Sequence, residues 1–384
     1  MTPVVHVALG MVPSSGGTVL AVREIQAALG SRVISFTSQA RLQAEGSAIA
    51  GALHVPLGSS FWETRFAWPP AAALRPADEL AQTASLLSCH MLYRYHAHWV
   101  GAWARRRRIP YWVFPHGSLD PFSFQYRPWF KRAWLAGYGR RFLAGATHVV
   151  FSTLRERRLA AHQYDGPNVR VVLEPVTPPG LERAAELRQR TRQRLGLAED
   201  ERLLLCLGRL HSVKRPLETV AALAAAARPR VRLAVVGPDE TITAREVLAE
   251  AEKLGLRGRV FAPGSAYGEA KDEWLHACDG FISLSWMESF GHSVAEAIAA
   301  HQPAILAPGI GLVEELAPHQ CGWFLPDNSA AAATAAIQAW ADAPAAQLHA
   351  MGARGSAFVR GELTFAKFAA HLRDLAQEAL AVRS

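Results

Sequence analysis

The sequence has little of what disulfide frameworks, metal clusters and membrane spans require. Its 384 residues include four cysteines and no C-x-x-C pair, which disfavours a disulfide framework or a zinc site and fits reduced thiols in a cytosol. No run of about 18 apolar residues is free of charge, which argues against a membrane-spanning helix. The first residues are typical of a strand and show no signal peptide. These absences favour a cytoplasmic globular protein.

Charged residues are also few, at 19%, and they are unevenly distributed. Residues 1–178 contain 19 Lys and Arg against 9 Asp and Glu, whereas the remaining residues contain 22 against 24. A basic half joined to a near-neutral half indicates that the first half meets something anionic. On charge alone, nucleic acid, anionic lipid and phosphorylated substrates all stay open.

Short apolar runs alternate with longer helical patterns, which is typical of βαβ units and parallel sheets. The predicted strands form two groups of five, and this implies two doubly wound α/β domains. The first group is Val4–Leu9, Ser31–Phe36, Ala84–Cys89, Tyr111–Phe114 and Thr147–Phe151. The second group is Leu203–Leu207, Arg232–Val236, Arg259–Phe261, Gly280–Leu284 and Ala304–Ala307.

A boundary between the two domains is predicted at Glu174–Gly180. Three prolines and a glycine in this segment cannot continue a helix or a central strand. The last segment, Thr364–Leu380, has apolar residues at helical spacing behind Thr364 as a candidate N-cap. It predicts an amphipathic terminal helix, and the pattern does not decide which domain that helix packs against.

Two glutamates follow the predicted strand Gly280–Leu284. Glu288 is predicted in the short loop after the strand, and Glu296 lies eight residues further on, in the helix that follows. At the helical rise this spacing is about 12 Å or somewhat more, and both carboxylates can face one cleft. The helix start between them offers free N–H groups and the positive end of the helix dipole. Such a site fits a ligand with a hydroxyl-rich group at each end and an anionic middle, as in a nucleoside diphosphate sugar. The alternative is a pair of solvated surface charges.

Two cations and two glycines follow the first strands of the two halves. Arg209 and Lys214 come just after Leu203–Leu207, where they could clamp a diphosphate and neutralise a phosphate leaving group. An ordinary basic loop is the alternative. Gly16 and Gly17 permit close backbone approach to a phosphate or sugar, although they match neither a dinucleotide-binding fingerprint nor a P-loop.

A histidine ends one of the buried strands of the first half. His116 follows Tyr111–Phe114, and a histidine in that place can hydrogen-bond a sugar hydroxyl or a phosphate. Alternatively it is a structural histidine bonded to the backbone. His90, at another strand end, has the same two interpretations, and there the structural one is favoured.

Basic and aromatic residues concentrate in Arg105–Arg108 and Arg127–Leu143. That composition suits an anionic membrane surface. A solvated helix with a partly buried aromatic side is the alternative. Nucleic acid is not an expected partner, because no recognition motif accompanies the charge.

Taken together, these residues resemble the GT-B retaining glycosyltransferases of family 4, the glycosyl transferases group 1. The most specific element is the E-x7-E motif from Glu288 to Glu296, in ESFGHSVAE. GRLHSVK is similar to the family's Gly-Arg-x4-Lys element, and PHGSLDP to its first-domain His-Gly segment. The resemblance implies two Rossmann-like, doubly wound parallel-sheet domains facing a central cleft, with the terminal helix returning to the first domain. The implied domains are 1–176 with 364–384, for the acceptor, and 177–363, for the donor.

The resemblance also implies how the donor, a UDP- or GDP-linked sugar, is held. Glu296 is expected to bind the ribose hydroxyls. Glu288 is expected to bind hydroxyls of the donor sugar, together with backbone amides near Phe290 and Gly291. The sequence contains no Asp-x-Asp, so neither a metal nor another cofactor is expected.

Cations and glycines complete the implied site. Arg209 and Lys214 are expected to hold the diphosphate, with help from Gly16 and Gly17 in the first domain. His116 is expected to contact the transferred sugar. The residues expected to act in catalysis are Glu288, His116, Arg209 and Lys214.

The activity implied is transfer of a hexose-type sugar, with retention of anomeric configuration, to a glycan or lipid-linked acceptor. The expected setting is bacterial surface polysaccharide synthesis, with peripheral contact to the inner face of the cell membrane. A catalytically silent nucleotide-sugar-binding scaffold protein of the same fold is the alternative from another class. An inverting GT-B enzyme or a sugar-nucleotide epimerase is disfavoured by the E-x7-E pattern.

Overall fold

The computed structural model describes residues 3–381 and divides into two compact units. Unit 1 runs to Pro175 and includes the segment that begins at Phe365, and unit 2 runs from Val176 to Thr364. The boundary therefore lies inside the proline-rich segment of the sequence. Residues 1, 2 and 382–384, which the predicted first domain includes, lie outside the described residues.

Each unit is built on one parallel sheet. The strands of unit 1 are β1 (Val4–Leu9), β2 (Arg32–Ser38), β3 (Leu53–Leu57), β4 (Leu86–His90), β5 (Tyr111–Phe114), β6 (His148–Phe151) and β7 (Val169–Val171). The strands of unit 2 are β8 (Arg202–Leu207), β9 (Val231–Val236), β10 (Val260–Gly264), β11 (Gly280–Ser283), β12 (Ala304–Leu306) and β13 (Gly322–Phe324). The strand orders are β3-β2-β1-β4-β5-β6-β7 and β10-β9-β8-β11-β12-β13.

Helices connect the strands. Up to the unit boundary they are α1 (Gly17–Leu29), α2 (Gln39–Glu45), α3 (Phe61–Phe66), α4 (Ala71–Gln82), α5 (Tyr95–Arg107), α6 (Pro128–Trp134), α7 (Arg140–Ala144) and α8 (Leu154–Ala160). After it they are α9 (Ala184–Arg194), α10 (Pro216–Ala226), α11 (Ala244–Lys253), α12 (Glu269–Ala277), α13 (His292–Ala299), α14 (Val313–Leu316), α15 (Ala330–Asp342), α16 (Ala345–Glu362) and α17 (Phe365–Ala381). A π turn, Leu135–Gly139, joins α6 to α7.

The central strands form where the sequence has short, continuous apolar runs. β4, β5 and β6 are buried along their whole length, as expected when helices cover both faces of a parallel sheet. All ten predicted strands are present, and their ends move by at most three residues. The doubly wound α/β fold class is confirmed in both units.

The prediction of five strands per sheet is wrong, because the sheets have seven and six. The strands that it omits, β3, β7 and β13, all lie at sheet edges. β3 contains Pro56, whose missing N–H is tolerated only at an edge. β7 and β13 have three residues each and are only partly buried. A short, half-buried edge strand has too few apolar residues to give a clear signal.

The terminal helix α17 packs in unit 1. Its buried side chains Phe368, Leu372 and Leu375 join Ile25 of α1 and Trp112 of β5 in one apolar cluster. Burying a side chain of this size contributes about 1.5–3 kcal/mol, and the cluster therefore fixes α17 on this unit. The expected return of the terminal helix to the first domain is confirmed.

Both strand orders reverse beside the first strand of the unit. The reversal lies between β1 and β4 in unit 1 and between β8 and β11 in unit 2. Open α/β sheets bind ligands outside the carboxyl ends of the strands at such a point. The loops that follow these four strands are therefore where a site is expected in each unit.

Candidate functional site

In unit 2, the structure brings Lys214 and Glu288 into contact at the ends of β8 and β11. Lys214 closes a short 3-10 turn after β8, and its Nζ lies 2.6 Å from Oε1 of Glu288. The hydroxyl of Ser285 donates to the same oxygen at 2.9 Å. The backbone N–H of Trp286 donates to the carbonyl of Val213 at 2.9 Å and ties the two loops together. The ammonium group of Lys214 and the carboxylate of Glu288 thus contact each other where the strand order of unit 2 reverses.

Two glycines that sequence reasoning missed support the loop of Glu288. A Cβ on Gly309 would lie 2.1 Å from the carbonyl oxygen of Ser285, and one on Gly311 would lie 2.2 Å from that of Ser289. The N–H of Glu288 donates to the carbonyl of Gly309 at 2.9 Å. Only residues without a side chain permit this close approach, so the segment after β12 sets the position of Glu288.

Glu296 lies in the second turn of α13 and is paired with Lys271 of α12. The Lys271 Nζ to Glu296 Oε1 distance is 2.6 Å, and 18% of the Glu296 side chain is exposed. Sequence reasoning missed Lys271, because its partner is 25 residues away along the chain and nothing in its own segment marks it.

The structure places Glu288 in the loop before the helix, as the sequence predicts, because α13 begins at His292. Glu288 precedes the helix by a full turn, so the helical rise of about 1.5 Å per residue does not describe the whole of its spacing from Glu296. Gly291 is the cap residue of α13 at φ 108°, and it makes no side-chain cap hydrogen bond.

Arg209 is held by a different carboxylate from the one that holds Lys214. Its Nη1 lies 2.5 Å and 2.7 Å from the two oxygens of Glu240, and nearly half of the Arg209 side chain is exposed. Glu240 lies after β9 and was not a predicted site residue. The structure thus brings Lys214 to Glu288 and does not place Arg209 on the same carboxylate.

In unit 1, Gly16 and Gly17 form the start of α1. Gly16 has φ 71° and ψ −143°, a conformation that residues with a Cβ rarely adopt. Gly17 is the first helical residue, and a Cβ there would meet no atom within 4 Å. Ser14, in the loop before them, donates its N–H to Glu45 at 2.9 Å and accepts a hydrogen bond from Arg41. The contacts of Ser14 hold the loop in place, and the space beside Gly17 is open.

His116 follows β5 in a left-handed conformation. Its φ is 47°, a strained value for a non-glycine residue that persists only where surrounding contacts enforce it. The next residue, Gly117, donates its N–H to buried Glu156 at 2.6 Å. Glu156 also accepts from the N–H and hydroxyl of Ser152. Burial raises the pKa of Glu156, and these hydrogen bonds oppose that shift.

His116 is also one end of a buried row of polar side chains, which we name the histidine chain: His6, Ser88, His90 and His116. His90 Nδ1 lies 2.9 Å from His116 Nε2, and His90 Nε2 lies 3.1 Å from the hydroxyl oxygen of Ser88. That oxygen also contacts His6 Nδ1. Burial lowers the pKa of His6 to about 3 and lowers the pKa of His90 and His116 as well. Both ring nitrogens of His90 thus contact side chains, whereas the structural interpretation of the sequence expected a bond to the backbone.

We expect unit 1 to lose stability as the pH falls below about 6.5, because a buried neutral histidine protonates only on unfolding. The pKa of His6 is lowered from 6.5 to about 3, so between these values the unfolded chain binds one proton more there. This difference costs about 1.4 kcal/mol per pH unit. Hydrogen exchange of β1 and β4 amides at several pH values measures the slope. The His6→Asn variant is expected to show a shallower slope, and equal slopes would contradict the assignment.

Within residues 3–381, no three His, Cys, Asp or Glu side chains converge in a group that could hold a metal ion. Across the same residues, no helix has both the length and the apolar character needed to cross a bilayer.

Unit 1 exposes aromatic side chains beside arginines. The aromatic patch, as we name it, consists of Phe61, Trp62 and Trp68, of which more than half of each side chain is exposed. Arg94 donates to the carbonyl of Thr64 at 3.1 Å, under this patch. Burial lowers the pKa of Arg94, and the charges of two further arginines nearby, those of Arg127 and Arg65, lower it further.

The aromatic side chains of the segment Arg127–Leu143 are partly buried and partly exposed. Trp134 and Phe142 are buried in the core of unit 1, whereas Trp129 is 71% exposed. The segment is helical through α6, the π turn and α7. The aromatic side of this helix is therefore partly core, and its first turn faces solvent.

Two family descriptions match the chain, and they divide at the unit boundary. Residues 16–177 match "Glycosyl transferase 4-like domain" and residues 188–357 match "Glycosyl transferases group 1". Together the two matches span most of both units.

Curated proteins with related sequences are D-inositol 3-phosphate glycosyltransferases. The one from Kineococcus radiotolerans is 33% identical over 238 residues, which are 56% of this chain and 54% of that protein. The one from Streptomyces avermitilis is 29% identical over 218 residues, or 53% of this chain and 46% of that protein. The chain thus spans about half the length of the curated relatives it matches.

Solved structures share the fold over the whole chain. HepE from Anabaena, solved in complex with UDP and glucose, has a TM-score of 0.75 at 16% identity and covers 98% of this chain and 100% of that one. Sucrose-phosphate synthase from Thermosynechococcus elongatus has a TM-score of 0.74 at 21% identity, with both chains fully covered. At these identities the likeness shows the fold.

Proposed function

Because the chain belongs to family 4 of the glycosyltransferases, the glycosyl transferases group 1, and has the GT-B fold, we propose that it transfers a hexose-type sugar from a nucleoside diphosphate sugar to a glycan or lipid-linked acceptor. The observation that carries this proposal is the contact of Lys214 with Glu288 at the sheet reversal of unit 2. A UDP- or GDP-linked sugar needs a cation for its phosphates and a carboxylate for its hydroxyls, and this pair supplies both.

We propose that unit 2 holds the donor along the loops after β8 and β11. Glu296 binds the ribose hydroxyls, and Glu288 with the amides near Phe290 and Gly291 binds the sugar. Both carboxylates are more than four-fifths buried, which strengthens hydrogen bonds to a ligand relative to those in water. HepE, of the same fold, was solved with UDP and with glucose, which supports a nucleotide sugar as the ligand class.

The proposed reaction retains the anomeric configuration. The bond between the anomeric carbon and the phosphate oxygen breaks, and its electron pair stays on the diphosphate. The acceptor hydroxyl oxygen bonds to the anomeric carbon from the same face, and its proton passes to the departing phosphate oxygen. Lys214 and Arg209 offset the negative charge that develops on the diphosphate.

We assign the remaining predicted residues to unit 1. His116 contacts the transferred sugar, and its left-handed φ of 47° is the kind of strain that clusters at functional sites. Gly16 and Gly17 let the donor approach the start of α1, in keeping with the open space beside Gly17. The acceptor is bound by unit 1, and no metal or other cofactor takes part.

Turnover with a panel of UDP- and GDP-sugars tests the proposal against the scaffold alternative. We expect release of UDP or GDP with one donor, at a rate that rises with a suitable acceptor, and a product of unchanged anomeric configuration by NMR. The Glu288→Gln variant serves as the matched inactive control. If sugar nucleotides bind and no donor is ever turned over, the protein is a nucleotide-sugar-binding scaffold; an inverted product would exclude retention.

We further propose that unit 1 contacts the inner face of the cell membrane while serving surface polysaccharide synthesis. The exposed aromatic patch offers side chains suited to the interfacial region of a bilayer. Arg65, Arg94 and Arg127 lie close enough together for their charges to interact, and they would attract anionic lipid. Arg105–Arg108 adds further positive charge at the end of α5.

We expect the protein to cosediment with vesicles that contain anionic phosphatidylglycerol and to be released by salt, because the screening length shortens to about 3 Å near 1 M. The Trp62→Ser variant is expected to bind several-fold more weakly. Trp286→Ser, which removes an exposed tryptophan from unit 2, is the matched control. Equal sedimentation with neutral and anionic vesicles, or none at low salt, would contradict the membrane contact.

A further inference from the structure

The histidine chain ends in the core on a nitrogen that has no partner. Nε2 of His6 is fully buried without a hydrogen bond. At the other end, His116 is partly exposed, and its Nε2 is the nitrogen that contacts His90. Between these two ends, the contacts of His6, Ser88, His90 and His116 run in one unbroken row, and His90 Nε2 also lies 3.2 Å from His6 Nδ1. The row therefore joins a buried end at His6 to a partly exposed end, from which His116 can reach a ligand.

When all three imidazoles of the histidine chain are neutral, its hydrogen bonds can be oriented in only two ways, with the donors pointing inward or outward along the row. Each neutral imidazole has one N–H and one bare nitrogen, and Ser88 has one hydroxyl proton and no other partner among the described residues. In the inward direction, His116 donates through Nε2 to His90, and the row ends on an unpaired N–H at His6. In the outward direction, every donor is reversed, and the row ends on a bare Nε2 of His6.

The two directions differ in what they leave unpaired in the core. Buried N–H groups without an acceptor are rare in folded proteins, and acceptors that lack a donor are less so. The outward direction leaves the bare nitrogen and avoids the unpaired N–H. Burial also lowers the pKa of His6, His90 and His116, so all three imidazoles are neutral near pH 7 and the choice between two directions applies.

An acidic neighbour of His116 favours the same direction. Glu174 lines a small cavity together with His116 and Glu156, and the charge of Glu174 raises the pKa of His116 against the effect of burial. Because Nε2 of His116 contacts His90, Nδ1 is the ring nitrogen left to meet other groups, and a negative charge nearby stabilises an N–H on that nitrogen.

We propose that the histidine chain fixes His116 in the tautomer that carries its proton on Nδ1, so that His116 donates a hydrogen bond outward, with Ser88 and His90 acting as positioning residues. Under the proposed function, the acceptor of that bond is a hydroxyl oxygen of the transferred sugar. His116 would then select a ligand with an oxygen acceptor at this point, and it would not serve as a general base.

The tautomer can be observed directly in the protein labelled with ¹⁵N-histidine. Long-range ¹H–¹⁵N correlation spectra distinguish a protonated ring nitrogen from a bare one, and a His116→Asn variant assigns the signal. We expect a protonated Nδ1 and a bare Nε2 at His116, His90 and His6. A protonated Nε2 at His116 would overturn the proposal. This spectrum tests the tautomer of His116 even if no sugar donor is turned over.

Variants of His6 and Ser88 test whether the row transmits the tautomer. Because His90 Nε2 lies 3.2 Å from His6 Nδ1 as well as 3.1 Å from the Ser88 hydroxyl oxygen, the test removes both partners. The double variant His6→Phe with Ser88→Ala is expected to give a mixture of tautomers at His116, whereas Ser88→Thr keeps the hydroxyl and is expected to keep the wild-type signal. Ser35→Ala removes another fully buried serine of unit 1 and is the control for general loosening. An unchanged His116 signal in the folded double variant would contradict the role of the row.

Kinetics separate positioning from a merely structural effect. Once a donor is known, the double variant His6→Phe with Ser88→Ala is expected to lower kcat/KM about tenfold, the size of one hydrogen bond, while Ser88→Thr and Ser35→Ala leave it unchanged. Equal losses in the double variant and in Ser35→Ala would overturn the positioning role. If no donor is turned over by the wild-type protein, the proposed function fails. The NMR measurement still confirms or contradicts the proposed tautomer in that case.

Discussion

Replacing Lys214 by methionine is expected to lower kcat about 10²–10³-fold, the effect of removing one group that stabilises charge in a transition state. The ammonium of Lys214 lies 2.6 Å from Glu288 and 23% of its side chain is exposed, so its charge is little screened by water. Methionine keeps the length of the side chain and removes only the charge. Steady-state turnover with the identified donor measures the loss, and KM is expected to change much less than kcat.

Two further variants isolate the cause of that loss. Lys253→Met removes an exposed lysine of unit 2 that pairs with Glu250 at 3.2 Å, and it is expected to leave kcat unchanged. Lys214→Arg keeps a positive charge at the same place and is expected to retain much more turnover than Lys214→Met. If Lys214→Arg were as slow as Lys214→Met, the loss would not arise from the missing charge.

Replacing Glu296 by glutamine is expected to weaken donor binding about tenfold to a hundredfold, because each charge-assisted hydrogen bond contributes about 1.5–3 kcal/mol. The carboxylate of Glu296 is 18% exposed and bonded to Lys271. Under the proposed function the ribose hydroxyls need an acceptor at this place, and an amide offers one neutral oxygen where the carboxylate offers two charged ones. Calorimetric titration with the donor and with its free nucleoside diphosphate measures the change.

The matched control for Glu296→Gln is Glu252→Gln. Glu252 pairs with Arg257 at 3.6 Å on an exposed surface of unit 2, so the variant makes the same change in charge at a place of no expected function. Donor affinity is expected to stay within twofold of wild type there. Equal affinities of wild type and Glu296→Gln would show that the ribose is held elsewhere.

The sequence predicts the centre of each sheet better than its edges. Strands such as β5 and β11 are buried along their whole length because both faces of the sheet are covered, and their residues are mainly apolar. β7 and β13 are half-buried and three residues long, so no period in their residues could distinguish them from loops. Their pairing depends on the neighbouring strand, which is a property of the folded sheet.

The site residues were predictable where one segment of the sequence contains both the residue and the strand that positions it. Glu288 and Lys214 each follow a strand that the sequence identifies, and parallel strands bring their carboxyl ends to one edge. Lys271 and Gly309 were not predictable, since their importance lies in contacts with Glu296 and Ser285 across the fold. Pairing over such distances leaves no local pattern.

The histidine chain shows a different limit of sequence reasoning. His90 at a strand end was interpreted as structural, and its burial agrees. The sequence could not show that His6 and Ser88 face it from β1 and from two residues earlier in β4, because strand order decides which side chains meet. Side chains alternate along a strand, so Ser88 and His90 lie on the same side of β4. This alternation was the only feature of the sequence that could have indicated their contact.

The lysine partners of Glu288 and Glu296 bear on how tightly any anion can be held. In the structure each of these carboxylates already has an internal counter-ion, Lys214 or Lys271. Under the proposed function, an incoming diphosphate would compete with a glutamate for Lys214, and sugar hydroxyls would take the place that the ammonium gives up. Donor binding would then exchange one set of charged pairs for another, and its net free energy would be the small difference between the two sets. A nucleotide product held in this way would be released readily, which would favour repeated turnover over tight binding.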